Sequence, residues 1–440
     1  LPTASRSKLY LYYLVLMLTL ASTLSIIDRQ ILNVMIGPVK RDLGGLSDTQ
    51  VSLIMGFAFS FFYSALALPA GWIADRYSRR NLMAAGIVGW SIMTALCGMA
   101  NHYWHLFLAR MGVGIGEATL GPAANSTLAD SFSAQRLPLA IGIVASAPFI
   151  GQGLANMGGG PLIDYLESVP NLTLPVVGAV YSWQAVFLLL GLPGVVLGLA
   201  MLSLREPERR GRAVERAEGP PLSAVWRFLR ERHRLFGLIF LAYLGFSIQG
   251  WSLFSWLLEF YVRNHGWSRT QTGLNYGAIA MVVGVTGSIF GGVLAGRLLR
   301  SQVPDATLRV AMYAGALLLP TATLLTLVDD PWLGMWLLVP VTFGMAMPNG
   351  LMLATLQAVA PNELRGQMVG VYLIAVNFLA YTFAPTLPAL LSDYVFQSEL
   401  ALGKSISMLA VVNYSIAIVA LGLSLKYYRA ALERAKEWSH

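Results

Sequence analysis

An acid and a base stand side by side at Asp28 and Arg29, near the end of an apolar run that begins at Leu9 (LYLYYLVLMLTLASTLSII). A second charged pair, Arg110 and Glu117, lies in another apolar stretch. Its members are seven residues apart, two turns, and so share nearly one helix face. Placing a charge at bilayer depth costs roughly 2.5–3.5 kcal/mol on insertion scales, so such residues face inward and pair. Asp28 and Arg29 point about 100° apart on a helix. They cannot neutralise each other along one face, and each needs a partner elsewhere. The chemistry open to such a group is twofold. A guanidinium at Arg29 or Arg110 matches a phosphate or carboxylate in a forked geometry. A carboxyl at Glu117 or Asp28 can take up a proton, and moving a nearby arginine would switch its proton affinity. The same residue types also suit a structural ion-pair network holding the first apolar segment to the fourth.

The elements that must position these residues follow from composition. The chain has 440 residues, 56% hydrophobic and 12% charged, where a soluble domain carries about 25% charged residues. Mean hydropathy is +0.61. This is the composition of a polytopic membrane protein. Twelve helical spans are expected, at roughly 9–36, 50–72, 81–100, 104–130, 138–163, 182–204, 234–262, 270–297, 308–328, 333–360, 367–391 and 403–427. The alternating segments of about ten residues that mark a transmembrane barrel are missing. In this order the first span runs outward and the fourth inward, which makes a cluster of Asp28, Arg29, Arg110 and Glu117 geometrically reasonable. Cys97 is the sole cysteine and lies in an apolar span, so no disulfide framework is expected. Residues 1–8 are too short and polar for a signal peptide.

An even number of spans puts both termini on one side. With the termini inside, the inner loops hold Arg76, Arg79, Arg80, Arg136, Arg297, Arg300, Arg309 and Arg365, both tails and a basic run from Arg205 to Arg234. The outer loops hold Lys40, Arg41, Arg263, Arg269 and Lys404. This asymmetry fixes the orientation with cytoplasmic termini. It also explains the net charge of +8 without a nucleic-acid partner. The long charged loop divides the chain into 1–204, a linker 205–233, and 234–440. Within it, PLSAVWRFLRERH suits either an amphipathic helix on the inner membrane surface or a solvated connection.

The halves repeat one another. GWIADRYSRR (71–80) between spans two and three matches GVLAGRLLR (292–300) between spans eight and nine, with Gly71, Ala74 and Arg76 against Gly292, Ala295 and Arg297. ADSFSAQRLPLAIG (129–142) matches APNELRGQMVG (360–370), each after a proline in the preceding span, Pro122 and Pro348. All offsets lie between 220 and 230 residues, which points to two six-span bundles related by duplication, an architecture suited to alternating access.

GWIADRYSRR resembles the cytoplasmic signature of the major facilitator superfamily, with Ser78 in place of its second glycine. Arg110 with MGVGIGEA resembles the family's fourth-span motif. IIDRQ, DRYSRR and GVGIGEATLGPAANSTLADSF resemble the spinster group, whose members carry lysolipids and sphingolipid phosphates. Organic anion:cation symporters share the Asp-Arg pair and a Gly-x-x-Glu-Ala fourth span, so that alternative stays open beside drug efflux. The resemblance implies an all-α major facilitator fold and a proton-coupled secondary transporter, monomeric and without a cofactor. Very short outer loops and compact tails point to a bacterial inner membrane, and an endolysosomal relative would fit the same family. It also implies a cytoplasmic gate at Gly71, Asp75, Arg76, Arg79, Arg80 and Asp130. In it Asp75 would sit near the N-terminus of span eleven, around Gly366, where free N–H groups favour an anion, and Arg79 would bridge Asp75 to Asp130. The arginines equally fit plain topology signals. Gly296 stands where the first half has Asp75, so the second half's latch is expected to rest on packing.

The second half is expected to lack comparable buried charges. Its polar candidates are Gln249, Asn275, Asn349, Gln357, Asn377 and Tyr381, with Glu259 near an outer end. SLFSWLLEFY (252–261) and GMAMPNGLML (344–353) would supply an apolar, aromatic wall opposite a charged one, which suits an amphiphile with a charged head. Other classes fit poorly. No nucleotide loop of the form G-x-x-x-x-G-K-[ST] occurs. Of the five histidines only His102 and His105 are close, with no carboxylate motif beside them, which argues against an enzyme. Asp-Arg-Tyr at 75–77 follows the second of twelve spans, the wrong place for a seven-span receptor. Asn171-Leu-Thr173 fits a short glycosylation pattern on an outer loop.

Overall fold

The computed structural model describes residues 8–133, 136–169, 172–174, 178–207, 222–361 and 363–436. Asn171 and residues 208–221 of the linker lie outside them. The elements in chain order are α1 (Lys8–Val34), α2 (Ile36–Asp42), α3 (Asp48–Met55), α4 (Phe57–Arg76), α5 (Arg79–Cys97), α6 (Tyr103–Glu117), α7 (Leu120–Ser131), α8 (Leu137–Val144) and α9 (Ala147–Ser168). A two-residue antiparallel hairpin, β1 (Thr173–Leu174) with β2 (Gly178–Ala179), precedes α10 (Ser182–Met201) and α11 (Leu222–Glu231). Then come α12 (His233–His265), α13 (Arg269–Arg300), α14 (Ala306–Leu325), α15 (Pro331–Ala346), α16 (Leu351–Ala358), α17 (Arg365–Leu390) and α18 (Leu402–Lys436).

Among the described residues, ten helices are long and apolar enough to cross a membrane. The other two expected spans are present as helix, but shorter or more polar. One is α5, with 19 residues. The other is broken at Ala118–Thr119 into α6 and α7. Further spans are also interrupted: at Gly56 between α3 and α4, at Ala145–Ser146, just before Pro148, and at residues 347–350, where Pro348 removes a donor and Gly350 takes φ +71°. The breaks after Glu117 and at Pro348 fall at matching places in the two halves. Large apolar side chains such as Leu139, Leu192 and Trp336 stand exposed on the helices. That arrangement is costly in water and natural in lipid.

The chain divides into two compact units: 1–212 with 267–277, and 213–266 with 278–440. The first turns of α13 therefore group with the first unit. In that unit α1 packs on α9, α5 on α10 and α6, and α4 on α6, around Leu14, Leu18, Trp90, Val113 and Leu128. In the second, α12 packs on α17 and α18, and α14 on α15 and α18.

Candidate substrate and proton site

The four charges read from the sequence come together inside the first unit. α1 presents Ser25, Asp28 and Arg29, and α6 presents Arg110 and Glu117. Asp28, Arg110 and Glu117 are each 2% exposed or less. Oε2 of Glu117 accepts from Ser25 Oγ at 2.6 Å and from Arg29 Nε at 2.7 Å, and Arg29 Nη2 lies 2.6 Å away. The Arg29 guanidinium lies over the rings of Phe59 and Tyr63 on α4, 4.6 and 4.7 Å from their centroids. These faces offer a desolvated cation an attraction that a lysine ammonium would use less well.

The 100° between Asp28 and Arg29 is resolved by sending each to a different neighbour. Arg29 turns to α6. The Asp28 carboxylate turns to α5, where Thr94 Oγ1 donates to Oδ2 at 3.4 Å. Arg110 reaches Asp28 through the backbone, Nη1 donating to its carbonyl at 3.0 Å. Three polar atoms here are buried without a hydrogen-bond partner among the described residues: Asp28 Oδ1, Glu117 Oε1 and Arg110 Nε. An orphaned carboxylate oxygen next to a satisfied one is a place for a proton, and an unused guanidinium N–H is a place for an acceptor. Ser25 and Thr94 were missed from sequence. Ser25 sits four residues before Arg29, a spacing that could have identified it.

At the α4–α5 turn the residues separate into two groups. Arg79 is buried at the start of α5 and acts as a hub. It pairs with Asp130 and donates to Ser126 Oγ at 2.8 Å, to Glu206 Oε1 at 3.0 Å and to the Pro207 carbonyl at 2.9 Å. Glu206 also accepts the backbone N–H of Arg79 at 3.2 Å and of Arg80 at 3.0 Å, and the Ser78 hydroxyl at 2.8 Å. Ser78, the departure from the family signature, thus caps α5 through Asn81 N and anchors the acid over the helix N-terminus. Burial alone would raise the Glu206 carboxyl; the N–H of Arg80, the Arg79 guanidinium and the Ser78 hydroxyl outweigh it and hold the group below the usual range. Asp75, by contrast, is exposed and has no partner among the described residues. Arg79 therefore bridges Asp130 to Glu206, where a bridge to Asp75 was expected. Arg76 is exposed and stacks on Trp72 at 4.1 Å, Arg80 donates to the Asn81 side chain at 3.1 Å, and Gly71 has only Pro122 near its Cβ position, at 3.9 Å.

A third ionic group stands at the end of α9. Glu167 accepts from Arg41 at 3.1 Å and from Arg269 at 2.9 Å, while Asp164 accepts the N–H and hydroxyl of Thr270 at 2.8 and 2.7 Å. The Gly160 and Gly273 positions bring backbone against backbone, facing the Arg269 and Asn156 carbonyls. Arg41 and Arg269 had been read only as outer-loop charges.

The second unit, expected to lack comparable buried charges, carries two buried acids, Glu259 and Asp305. Glu259 pairs with Arg263 at 2.7 Å one turn later on α12. Asp305, fully buried, takes Arg309 Nε at 2.8 Å and Arg429 Nη2 at 2.6 Å, tying the start of α14 to α18. Burial pushes the Asp305 carboxyl up, but Arg309 and Arg429 hold it below the usual range. At Gly296, where the first half has Asp75, a Cβ would meet open space. On α12 and α17 the second unit is aromatic, with Trp251 against Tyr381 at 4.6 Å and against Phe254 at 5.7 Å.

Membrane-crossing helices in two units, with a paired set of charges sealed in the core of one, define a transport protein rather than an enzyme. The Major Facilitator Superfamily profile matches residues 18–385, and the chain belongs to that family, whose members are transporters. It is a multi-pass integral membrane protein and a secondary transporter. It is 27% identical over 425 residues to an MFS-type efflux pump of Mycolicibacterium smegmatis, covering 95% of this chain and 94% of that one. It is 26% identical over 328 residues to a probable L-galactonate transporter of Escherichia coli, 70% of this chain and 68% of that one. Human protein spinster homolog 1 matches at 31% over 226 residues, half of this chain and 40% of that one. In fold the chain is similar to a bacterial homologue of the human lysosomal transporter Spinster, solved inward-facing and unoccupied. There the TM-score is 0.80 at 24% identity, covering 97% of this chain and 98% of that one.

Proposed function

We propose that the chain is a proton-coupled transporter of the bacterial plasma membrane for an amphiphile with an anionic head group, such as a lysolipid or a sphingolipid phosphate. The observation that carries this reading is the Glu117 carboxylate. One oxygen is saturated by Ser25 and Arg29, and the other is buried without a partner. Protonation of Glu117 would weaken its hold on Arg29 and release a guanidinium, already desolvated against Phe59 and Tyr63, for an anion. Arg110, with a free buried N–H, is the second anion-binding group, and Asp28 the second carboxyl of the set. Coupling follows because proton and substrate compete for the same charge balance. Gly71, Asp75, Arg76, Arg79, Arg80 and Asp130 are assigned to the cytoplasmic gate, and the Asp164–Glu167–Arg269 group to the outer one.

The match to the galactonate transporter favours a second reading, a small organic anion as substrate. Proteoliposomes with a trapped pH dye and an imposed gradient separate the two. Proton movement that depends on added lysolipid, and disappears in Glu117→Gln while the purified variant melts as wild type does, is the expected result. Movement driven by galactonate and not by lysolipid replaces the amphiphile with the small anion. Equal lysolipid flux in both proteins without proton movement overturns the coupling role of Glu117.

A further inference from the structure

The short helix α11 is held to the second unit by one side only. Val225 is fully buried, Phe228 is nearly so, and the Phe228 ring meets Phe236 of α12 with centroids 5.7 Å apart. These contacts fix the roll of the helix. At 100° per residue the opposite side then carries Ser223, Trp226, Arg227 and Arg230. All four are exposed, Trp226 by 62%.

Two facts locate that side. α12 begins at His233, two residues after α11 ends, and is a membrane-crossing helix. At about 1.5 Å per residue, α11 lies within a few ångströms of the level where α12 leaves water. The stretch 222–234 also carries four arginines against a single acid, Glu231. Arg232 stacks on Phe228 at 4.0 Å, and both burial and the Arg434 guanidinium of α18 pull it below the usual arginine range, against Glu231. The local potential is therefore positive at headgroup depth. Tryptophan beside arginine is the pairing that the lipid–water interface favours.

We propose that the exposed side of α11 is a docking surface for anionic phospholipid headgroups of the leaflet that meets the basic loops, with Trp226 seated between headgroups and Arg227 and Arg230 on their phosphates. Trp226 needs an apolar and polar boundary, Arg227 and Arg230 need anions, and a negatively charged membrane surface supplies both in one plane. Docking on that surface clamps the entry of α12 and so makes the second unit responsive to membrane charge.

The full chain in lipid nanodiscs tests this. Cys97 is the sole cysteine and is buried, so an environment-sensitive dye can be placed at Ser223→Cys. Discs of phosphatidylcholine are compared with discs in which part of the lipid is phosphatidylglycerol. The expected result is a blue shift and protection from an aqueous quencher in the anionic discs, reversed by high salt. The apparent association with phosphatidylglycerol should fall about fivefold for each arginine removed in Arg227→Gln and Arg230→Gln. Arg227→Lys with Arg230→Lys should keep the response, which separates loss of charge from loss of fold. A dye equally wet in both lipids, an equal shift in pure phosphatidylcholine, or a full response in the double glutamine variant overturns the proposal.

Discussion

The two units build the same ionic joint with opposite signs. In the first, a buried base, Arg79, sits at the turn between α4 and α5 and takes Glu206 from just beyond α10. In the second, a buried acid, Asp305, sits at the turn between α13 and α14 and takes Arg429 from near the end of α18. Arg79 to Asp305, and Glu206 to Arg429, fall in the same window of 220 to 230 residues that relates the repeated motifs. Even the third partner corresponds: Asp130 approaches Arg79 from α7, and at the matching place on α16 Thr355 bonds Thr307 of α14 at 2.8 Å. Both units keep a place where the turn after the second span is tied to the end of the sixth, with the sign of the buried charge reversed.

The strongest way to break the comparison is Arg79→Gln. It leaves Asp130 and Glu206 facing each other without their cation and should cost about 3–5 kcal/mol, the usual penalty for splitting a buried pair. Thermal unfolding of the purified protein reads this directly. Asp305→Asn should cost less, about 1–3 kcal/mol, because its arginines are partly exposed and can turn to water. Equal losses would mean the joints are equivalent, not merely homologous in place. Acid sharpens the comparison further. Glu206 and Asp305 both have folded pKa values below their unfolded ones. Their stabilisation is therefore complete above the unfolded values near pH ~4 and is lost as pH falls through the folded ones. Melts should be flat toward neutral pH and drop in acid, and Asp305→Asn should reduce the drop without removing it. The smallest effect is expected at Asp75→Asn, within about 0.5 kcal/mol of wild type, since this exposed group contributes nothing to the joint. A larger loss there would place Asp75 inside the structural network.

Much of this was legible before the structure. The spans, the twofold repeat and the meeting of Asp28, Arg29, Arg110 and Glu117 follow from hydropathy, offsets and helical spacing. What escaped did so for identifiable reasons. Ser25 and Thr94 are small polar residues of a kind common in membrane helices, and only their neighbours make them special. Glu206 was hidden in a basic run, REPERRGR, where acids among arginines read as solvated. Asp305 lies in SQVPD, which looks like a surface loop, because the element that buries it, α18, is more than a hundred residues away in sequence. The small hairpin β1–β2 lies in a loop where hydropathy signals nothing. The breaks in the second, fourth, fifth and tenth expected spans are too local for hydropathy to register.

The glycines of GVGIGEA on α6 have a mechanical meaning. A side chain at Gly114 would strike the Phe59 backbone of α4, and one at Gly116 would meet Trp90 of α5 at 2.7 Å. The helix that carries Arg110 and Glu117 is thus keyed into its neighbours main chain to main chain, with no slack for sliding or rolling. The charged cluster behaves as a fixed component machined into a block. In the function proposed above, its moving parts would be a proton and the tips of two side chains, and a larger stroke would carry α4, α5 and α6 together.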